Sequence, residues 1–217
     1  MKNTRVLFIE ARKPFLEKGF GAIDDDAVNA LNILPKSFLI AYTIQYKYIA
    51  ERLKLLFEKN GRKVKGMMQV LGCTKLKTKE SSILLIGSGK FHALQLAIQG
   101  KSLYVYENGK ISRINKSDTG KLLLSRKIAL SKFLSSESAG ILVSSKTGQN
   151  NLKFALSLKK KLGKLGKKSF IFLSGTIDSR ELENFNIGSW VNTACPGIAV
   201  YDSSSNIINY EDIKNAL

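Results

Sequence analysis

The stretch SFLIAYTIQYKYIAERLKLLFEKNG, residues 37–61, decides the fold class. Its first six residues form an apolar run that is typical of a buried strand. A helix is predicted to follow and to end at Asn60-Gly61, a suitable C-terminal cap. Its apolar residues recur at helical spacing on one face: Ile49, Ala50, Leu53, Leu56 and Phe57. The stretch is therefore predicted to be a strand followed by an amphipathic helix.

The same plan recurs about 104 residues later, in ILVSSKTGQNNLKFALSLKKKLGKLG at residues 141–166. The second helix is predicted to carry its own apolar stripe: Leu152, Ala155, Leu158, Leu162 and Leu165. A basic pair follows each helix, and Gln45 and Gln149 occupy matching places. Each copy then returns to a strand, so the repeat predicts parallel strands joined by right-handed crossovers.

The remaining elements extend both copies. Further strands are predicted at 83–86, 103–106, 170–173 and 190–193, and helices at 92–98, 117–134 and 210–217. At the other end, Val6–Ile9 reads as the last strand of a third copy. The prediction is an α/β protein with two tandem related three-layer domains, mainly parallel sheets and that remnant strand. Its parts are 1–35 (remnant and linker), 36–116 (first domain) and 117–217 (linking helix and second domain).

Composition narrows the class of protein. A hydrophobic content of 44% in 217 residues is ordinary for a globular protein. The longest apolar stretches are far too short to cross a bilayer, and the N-terminus lacks the layout of a signal peptide. We therefore expect a cytoplasmic protein without a membrane partner.

The formal net charge of +18 would favour association with polyanions. The lysines lie mostly on predicted solvent-facing helix positions, and base-stacking aromatic residues are not interleaved with them. This pattern favours a solvated basic face over a nucleic-acid site. A positive surface that meets an acidic protein or a ribosomal neighbour is a third option.

Two cysteines, Cys73 and Cys195, are the candidate metal ligands. The ordinary interpretation of a lone cysteine is a small buried hydrophobic residue. Both cysteines, however, are predicted in loops at the ends of strands, where open α/β sheets collect ligands. If the copies are related by a pseudo-rotation, the thiolates could point to a common centre, and soft thiolates are what iron–sulfur clusters require.

Two loops are candidate cofactor-binding segments. Gly87, Ser88 and Gly89 follow a strand and open a helix that carries His92, the only histidine. Small residues there let backbone N–H groups approach an anion, although a tight turn and a packed histidine explain the pattern equally well. The segment 144–149 contains Lys146, Gly148 and Gln149 and could bind an anionic group. A plain turn with a helix cap explains the same residues equally well.

Together these motifs resemble one family, the archaeal-type diphthamide synthases, or 2-(3-amino-3-carboxypropyl)histidine synthases. The strings that carry the resemblance are QVLGC at 69–73, IGSGKFH at 86–92, VSSKTGQ at 143–149 and NTACPGIAVYD at 192–202. The likeness spans roughly residues 5–205. Each string alone is weak evidence for the family, but the four strings in this order are specific to it.

The resemblance implies three similar α/β domains around a 4Fe–4S cluster, with one cysteine ligand from each domain and S-adenosylmethionine on the unique iron. It also implies radical-type cleavage of the bond between sulfur and the aminocarboxypropyl carbon. The 3-amino-3-carboxypropyl group is then transferred to a histidine of translation elongation factor 2, the first step of diphthamide biosynthesis.

Carried onto this sequence, the resemblance makes Cys73 and Cys195 the second-domain and third-domain cluster ligands. It places the 87–92 loop, Lys146 and Gln149 near S-adenosylmethionine. The sequence also departs from the family. Most of the first domain and its cysteine are missing, and Ala93 replaces a proline usual after the histidine.

The leading hypothesis is therefore a component of a diphthamide synthase whose homo- or heterodimer partner supplies the third cysteine. The alternative is a non-catalytic accessory subunit of the same complex. Another cluster enzyme with the same triplicated plan, such as quinolinate synthase, ranks lower because its cysteine contexts differ. A nucleic-acid-binding role ranks last.

Overall fold

The structure, a computed structural model, describes residues 28, 30–107, 109–201 and 206–217. The predicted remnant strand at Val6–Ile9 and the end of the fourth family string at Asp202 lie outside these residues. The chain divides into two compact units, with the boundary between Lys116 and Ser117. Each unit is a mixed α/β domain with a mostly parallel sheet, so the predicted fold class is confirmed.

The first unit is a five-stranded sheet in the order β2-β1-β3-β4-β5. Its strands are β1 (Ser37–Tyr42), β2 (Lys63–Gln69), β3 (Ser82–Ile86), β4 (Ser102–Glu107) and β5 (Lys110–Arg113). The first four strands run parallel, and β5 pairs antiparallel with β4. Its helices are α1 (Lys47–Lys59) and α2 (Lys90–Ala97).

Alternation along the central strands gives this sheet two apolar faces, as expected for strands covered on both sides. Phe38 and Ile40 of β1 lie in the core that contains Leu53 and Phe57 of α1. Ala41 and its neighbours on the opposite face lie in a second core with Ala93 and Leu96 of α2. The unit therefore has three layers.

The second unit has a four-stranded parallel sheet in the order β7-β6-β8-β9. Its strands are β6 (Ser138–Ser144), β7 (Lys168–Ser174), β8 (Ser189–Asn192) and β9 (Ile207–Asn209). Its helices are α3 (Lys116–Ser135), α4 (Leu152–Lys164), α5 (Gly197–Tyr201) and α6 (Tyr210–Ile213). Among the described residues, none of the helices in either unit is long and apolar enough to span a membrane.

The two faces of this second sheet are covered unequally. One face packs against α3 and α4 through Phe133, Leu158 and Leu162. The other carries Trp190 and is covered by α5 and a six-residue 3-10 helix, Ser179–Asn184. Leu152 and Leu165, which the apolar stripe of α4 was predicted to include, are exposed. They stand at the first residue and just beyond the last residue of α4, outside its buried central stretch.

Candidate functional site

In the first unit, three loops leave the same edge of the sheet because β1, β2 and β3 are parallel. They follow Tyr42, Gln69 and Ile86. The first residue of two of these loops bonds to the last residue of a neighbouring strand: Thr43 N–H donates to the Ile86 carbonyl at 3.2 Å, and Val70 N–H donates to the Tyr42 carbonyl at 2.8 Å. The loop of Cys73 and the Gly-Ser-Gly loop thus leave one edge of one sheet.

Cys73 is an exposed free thiol in a tight turn. Thr74 N–H donates to the Leu71 carbonyl at 3.0 Å, and Leu71 N–H donates to the Thr74 hydroxyl at 2.8 Å. Gly72 lies so close to the Phe91 ring that a Cβ on it would be 1.9 Å from Cε1. The Cys73 turn therefore packs directly on the first turn of α2, the helix that the Gly-Ser-Gly loop opens.

Gln99 holds the segment after Cys73, a role that no sequence pattern indicates. Its Oε1 accepts from Leu76 N–H at 2.8 Å, and its Nε2 donates to the Thr74 carbonyl at 3.0 Å. Both contacts link positions more than twenty residues apart, so no local sequence signal could have revealed them. The result is a cysteine turn fixed by ring packing on one side and by an amide on the other.

The Gly-Ser-Gly loop starts α2, and its glycines have different roles. Gly87 is buried, and a Cβ on it would be 3.4 Å from the Thr43 side chain. Gly89 stands at the N-cap of α2 with a φ of 92°, a conformation that favours glycine. Its N–H donates to a Glu107 carboxylate oxygen at 3.4 Å, whereas Ser88 is exposed. A carboxylate thus already contacts the helix end that was predicted to approach an anion.

His92 is half-buried on α2, with its ring 5.4 Å from the Phe91 ring in an edge-on arrangement. Burial lowers the pKa of His92 below its ordinary value of 6.5. The imidazole is therefore neutral at neutral pH. In this form one ring nitrogen can accept a hydrogen bond and the other can donate one.

We expect the burial of His92 to make the free energy of unfolding depend measurably on pH. Because the folded-state pKa lies below the unfolded-state pKa, His92 destabilises the fold as pH falls from about 6.5 through the folded-state value. NMR titration of this single histidine should give a midpoint below 6.5. A His92→Gln variant should lose less stability than the parent over the same acid range, and equal losses would contradict the assignment.

In the second unit, the segment with Lys146, Gly148 and Gln149 forms a turn after β6. Gln149 N–H donates to the Lys146 carbonyl at 3.0 Å, and Gly148 has a φ of 79°. Lys146 N–H donates to the Ser144 hydroxyl at 3.1 Å, and Lys146 is exposed. At the end of this loop, Asn151 Nδ2 donates to the Thr193 carbonyl at 2.7 Å. The lysine loop and the Cys195 loop are therefore joined.

Cys195 is a half-buried free thiol just after β8. Asn192 Nδ2 donates to the Cys195 carbonyl at 2.8 Å and to Asn209 Oδ1 at 2.7 Å. Thr193 anchors the loop to the sheet through its hydroxyl, which donates to the Leu142 carbonyl at 2.7 Å. Asn192 lies inside a motif string that indicates no particular role for it, and no sequence pattern points to Asn209.

The two cysteines do not occupy equivalent places in the repeat. Strand order matches β2 with β7 and β3 with β8. Cys73 follows β2, whereas Cys195 follows β8, so its counterpart in the first unit is the Gly-Ser-Gly loop. A simple repeat operation therefore does not superimpose the cysteines, and each belongs to a different kind of loop.

Each unit has one side chain that is suitable as an iron ligand, the cysteine thiol. A thiol at a sheet edge is the soft ligand that an iron–sulfur cluster needs. Within the part of the chain that the structure describes, no three His, Cys, Asp or Glu side chains gather as a metal site. Each unit thus offers one thiol, in a fixed loop next to a second loop that can hold polar groups of a ligand.

The fold defines this chain as an α/β protein of mostly parallel sheets, with one cysteine after a strand of each unit. In this class of protein, ligands commonly gather at the carboxyl ends of the strands. The family described as "Putative diphthamide synthesis protein" matches residues 1–207. The chain therefore belongs to the diphthamide synthesis protein family.

Individual relatives agree with this assignment. The chain is 25% identical over 186 residues to the 2-(3-amino-3-carboxypropyl)histidine synthase of Pyrococcus horikoshii, covering 81% of this chain and 54% of the relative. It is 26% identical over 216 residues to subunit 1 of that synthase from Encephalitozoon cuniculi, covering 91% and 59%. The chain thus spans about half the length of the curated relatives it matches.

Solved structures show the same fold. Crystal structures of Dph2 from Pyrococcus horikoshii, one of them with a 4Fe–4S cluster, align with a TM-score of 0.76 at 23% identity. The alignment covers 90% of this chain and 61% of the crystal chain.

Proposed function

We propose that this chain is a component of a 4Fe–4S enzyme that transfers the 3-amino-3-carboxypropyl group of S-adenosylmethionine to a histidine of translation elongation factor 2. The observation that supports it most directly is the family match over residues 1–207, which contains both cysteines in loops at carboxyl ends of parallel strands. Related chains named as this synthase, and a related structure solved with a 4Fe–4S cluster, support the same reaction. We also propose a cytoplasmic location, because the proposed protein substrate is a translation factor.

In this proposal Cys73 and Cys195 each supply one thiolate ligand. A thiolate at an exposed or half-buried turn can reach iron without moving a strand, because packing and hydrogen bonds already fix each turn. The third thiolate comes from a partner chain, in a homodimer or heterodimer. When bound, the cluster supplies the electron that breaks the bond between the sulfonium sulfur and the aminocarboxypropyl carbon.

The neighbouring loops hold S-adenosylmethionine. In the second unit, the ammonium group of Lys146 matches its carboxylate. Its ammonium group is matched by acceptors such as the Gln149 side-chain carbonyl. In the first unit, neutral His92 can exchange hydrogen bonds with a ligand at neutral pH without adding a positive charge.

The test is anaerobic reconstitution of the full chain with iron and sulfide, alone and with candidate partner chains. We expect the parent chain to gain iron and cluster absorbance when the correct partner is present. Elongation factor incubated with that complex, S-adenosylmethionine and a reductant should gain the mass of one 3-amino-3-carboxypropyl group. A chain that binds no cluster under any combination would contradict the proposal.

A Cys73→Ser, Cys195→Ser double variant separates the proposal from its alternative, a non-catalytic accessory subunit. The presence of only two cysteines favours that alternative. If both thiols are ligands, the double variant should bind no iron and support no modification. If the complex still modifies elongation factor at the parent rate, the chain is an accessory subunit.

A further inference from the structure

The peptide groups around Cys195 are bound by two buried side-chain amides. Ala194 N–H donates to Asn192 Oδ1 at 3.0 Å, and Asn192 Nδ2 donates to the Cys195 carbonyl at 2.8 Å. Asn209 Nδ2 donates to the Pro196 carbonyl at 3.3 Å, and the two amides are joined to each other at 2.7 Å. Three consecutive residues centred on the cysteine are therefore held by one pair of asparagines.

These amides are buried: the exposed fraction is 2% for Asn192 and 6% for Asn209. Burying an amide costs free energy unless its hydrogen bonds are made, so both side chains need specific hydrogen-bond partners. Helix capping does not account for Asn209, which stands at the N-cap of α6 but makes no side-chain capping bond. Its donor goes to the cysteine loop instead.

The geometry points to Asn192 and Asn209 as positioning residues for Cys195. They fix the backbone on both sides of the thiol, so the loop is ordered before a metal arrives. A ligand that is already ordered binds without the entropy cost of ordering, and groups behind metal ligands commonly supply this order. The inference rests on the proposed function in one respect, that Cys195 is a cluster ligand.

The first measurement needs no cluster. In a Cys73→Ser background Cys195 is the only thiol, and its rate of alkylation by iodoacetamide reports how often the loop opens. We expect Asn192→Ala and Asn209→Ala each to raise that rate by roughly five-fold or more, because each removes at least one hydrogen bond. Asn192→Asp should behave like Asn192→Ala, since it keeps the acceptor for Ala194 N–H but loses both donors.

Asn184→Ala is the matched control, because Asn184 is exposed in the 3-10 helix of the same unit. Its alkylation rate should equal that of the parent background. Far-UV circular dichroism identifies any variant that fails to fold. The milder Asn209→Ala change keeps the test decisive if Asn192→Ala unfolds. An unchanged alkylation rate in a folded Asn209→Ala chain overturns the inference.

The second measurement restores Cys73 and counts iron per chain after reconstitution with the partner. Folded variants should bind several-fold less iron than the parent, with an altered electron paramagnetic resonance spectrum of what remains. Parent-like iron and spectrum in folded Asn192 and Asn209 variants would overturn the positioning role. If the parent binds no iron with any partner, the proposed function fails. The alkylation rates then still decide whether the amides hold the loop.

Discussion

Gly72→Ala should lower the iron bound per chain by roughly tenfold while most of the first unit stays folded, because overpacking strain of about 1–3 kcal/mol falls on the turn that carries Cys73. A Cβ at this position would lie 1.9 Å from Phe91 Cε1 and 2.5 Å from Cζ. To relieve this clash, either the Phe91 ring must move away from the turn or the turn must move away from α2. Both responses separate the Cys73 turn from the helix it packs on. Iron per chain after reconstitution with the partner measures the effect.

A compensating change tests the mechanism of this loss. Phe91→Ala in the Gly72→Ala background removes the ring and makes room for the new methyl group. If the clash is the cause, the double variant should bind more iron than Gly72→Ala alone, a coupling that a double-mutant cycle quantifies. Additive losses would show instead that the ring itself is needed. Alkylation of Cys73 in a Cys195→Ser background checks the turn without the cluster.

The elements with strong periodicity could be predicted from the sequence. The buried run at Ile83–Ile86 is a strand, and the apolar stripe after Thr43 is a helix, because local patterns reflect burial on a sheet with two covered faces. Short elements gave no such pattern. The hairpin strand β5 has one buried apolar residue, Ile111, and β9 has only three residues.

The candidate site was predictable only as a set of loops. The predicted ends of the strands indicated the turns of Cys73 and Cys195 as candidate sites, because ligands collect at the carboxyl ends of parallel strands. The groups that hold those turns depend on contacts between distant positions. Gln99 binds a segment more than twenty residues before it, and Asn209 binds across seventeen residues to Asn192. No spacing rule anticipates such pairs.

The repeat also predicted more symmetry than the chain has. Matching Gln45 with Gln149 correctly aligned the segments after β1 and β6, because both copies begin with the same strand and helix. The copies then diverge. The first copy places its cysteine after its edge strand β2, and the second after the interior strand β8. The predicted strands already put Cys73 before its copy's third strand and Cys195 after the third strand of the second copy. Only the order of strands in each sheet shows which of these strands is at the edge, because long-range pairing sets that order.

Gly140→Ala should cost the second unit about 3 kcal/mol of unfolding free energy, at the upper end of overpacking effects. Gly140 lies in β6 beneath the Trp190 ring, and a Cβ there would be 2.2 Å from Cε3. Trp190 is only 2% exposed, so the ring has nowhere to move. Urea unfolding followed by the fluorescence of this single tryptophan reports the loss. Gly120→Ala on α3, where a Cβ meets open space, is the control and should gain up to about 1 kcal/mol from helix propensity. An unchanged midpoint for Gly140→Ala would mean that ring and strand separate easily, contrary to the close packing of Gly140 on Trp190.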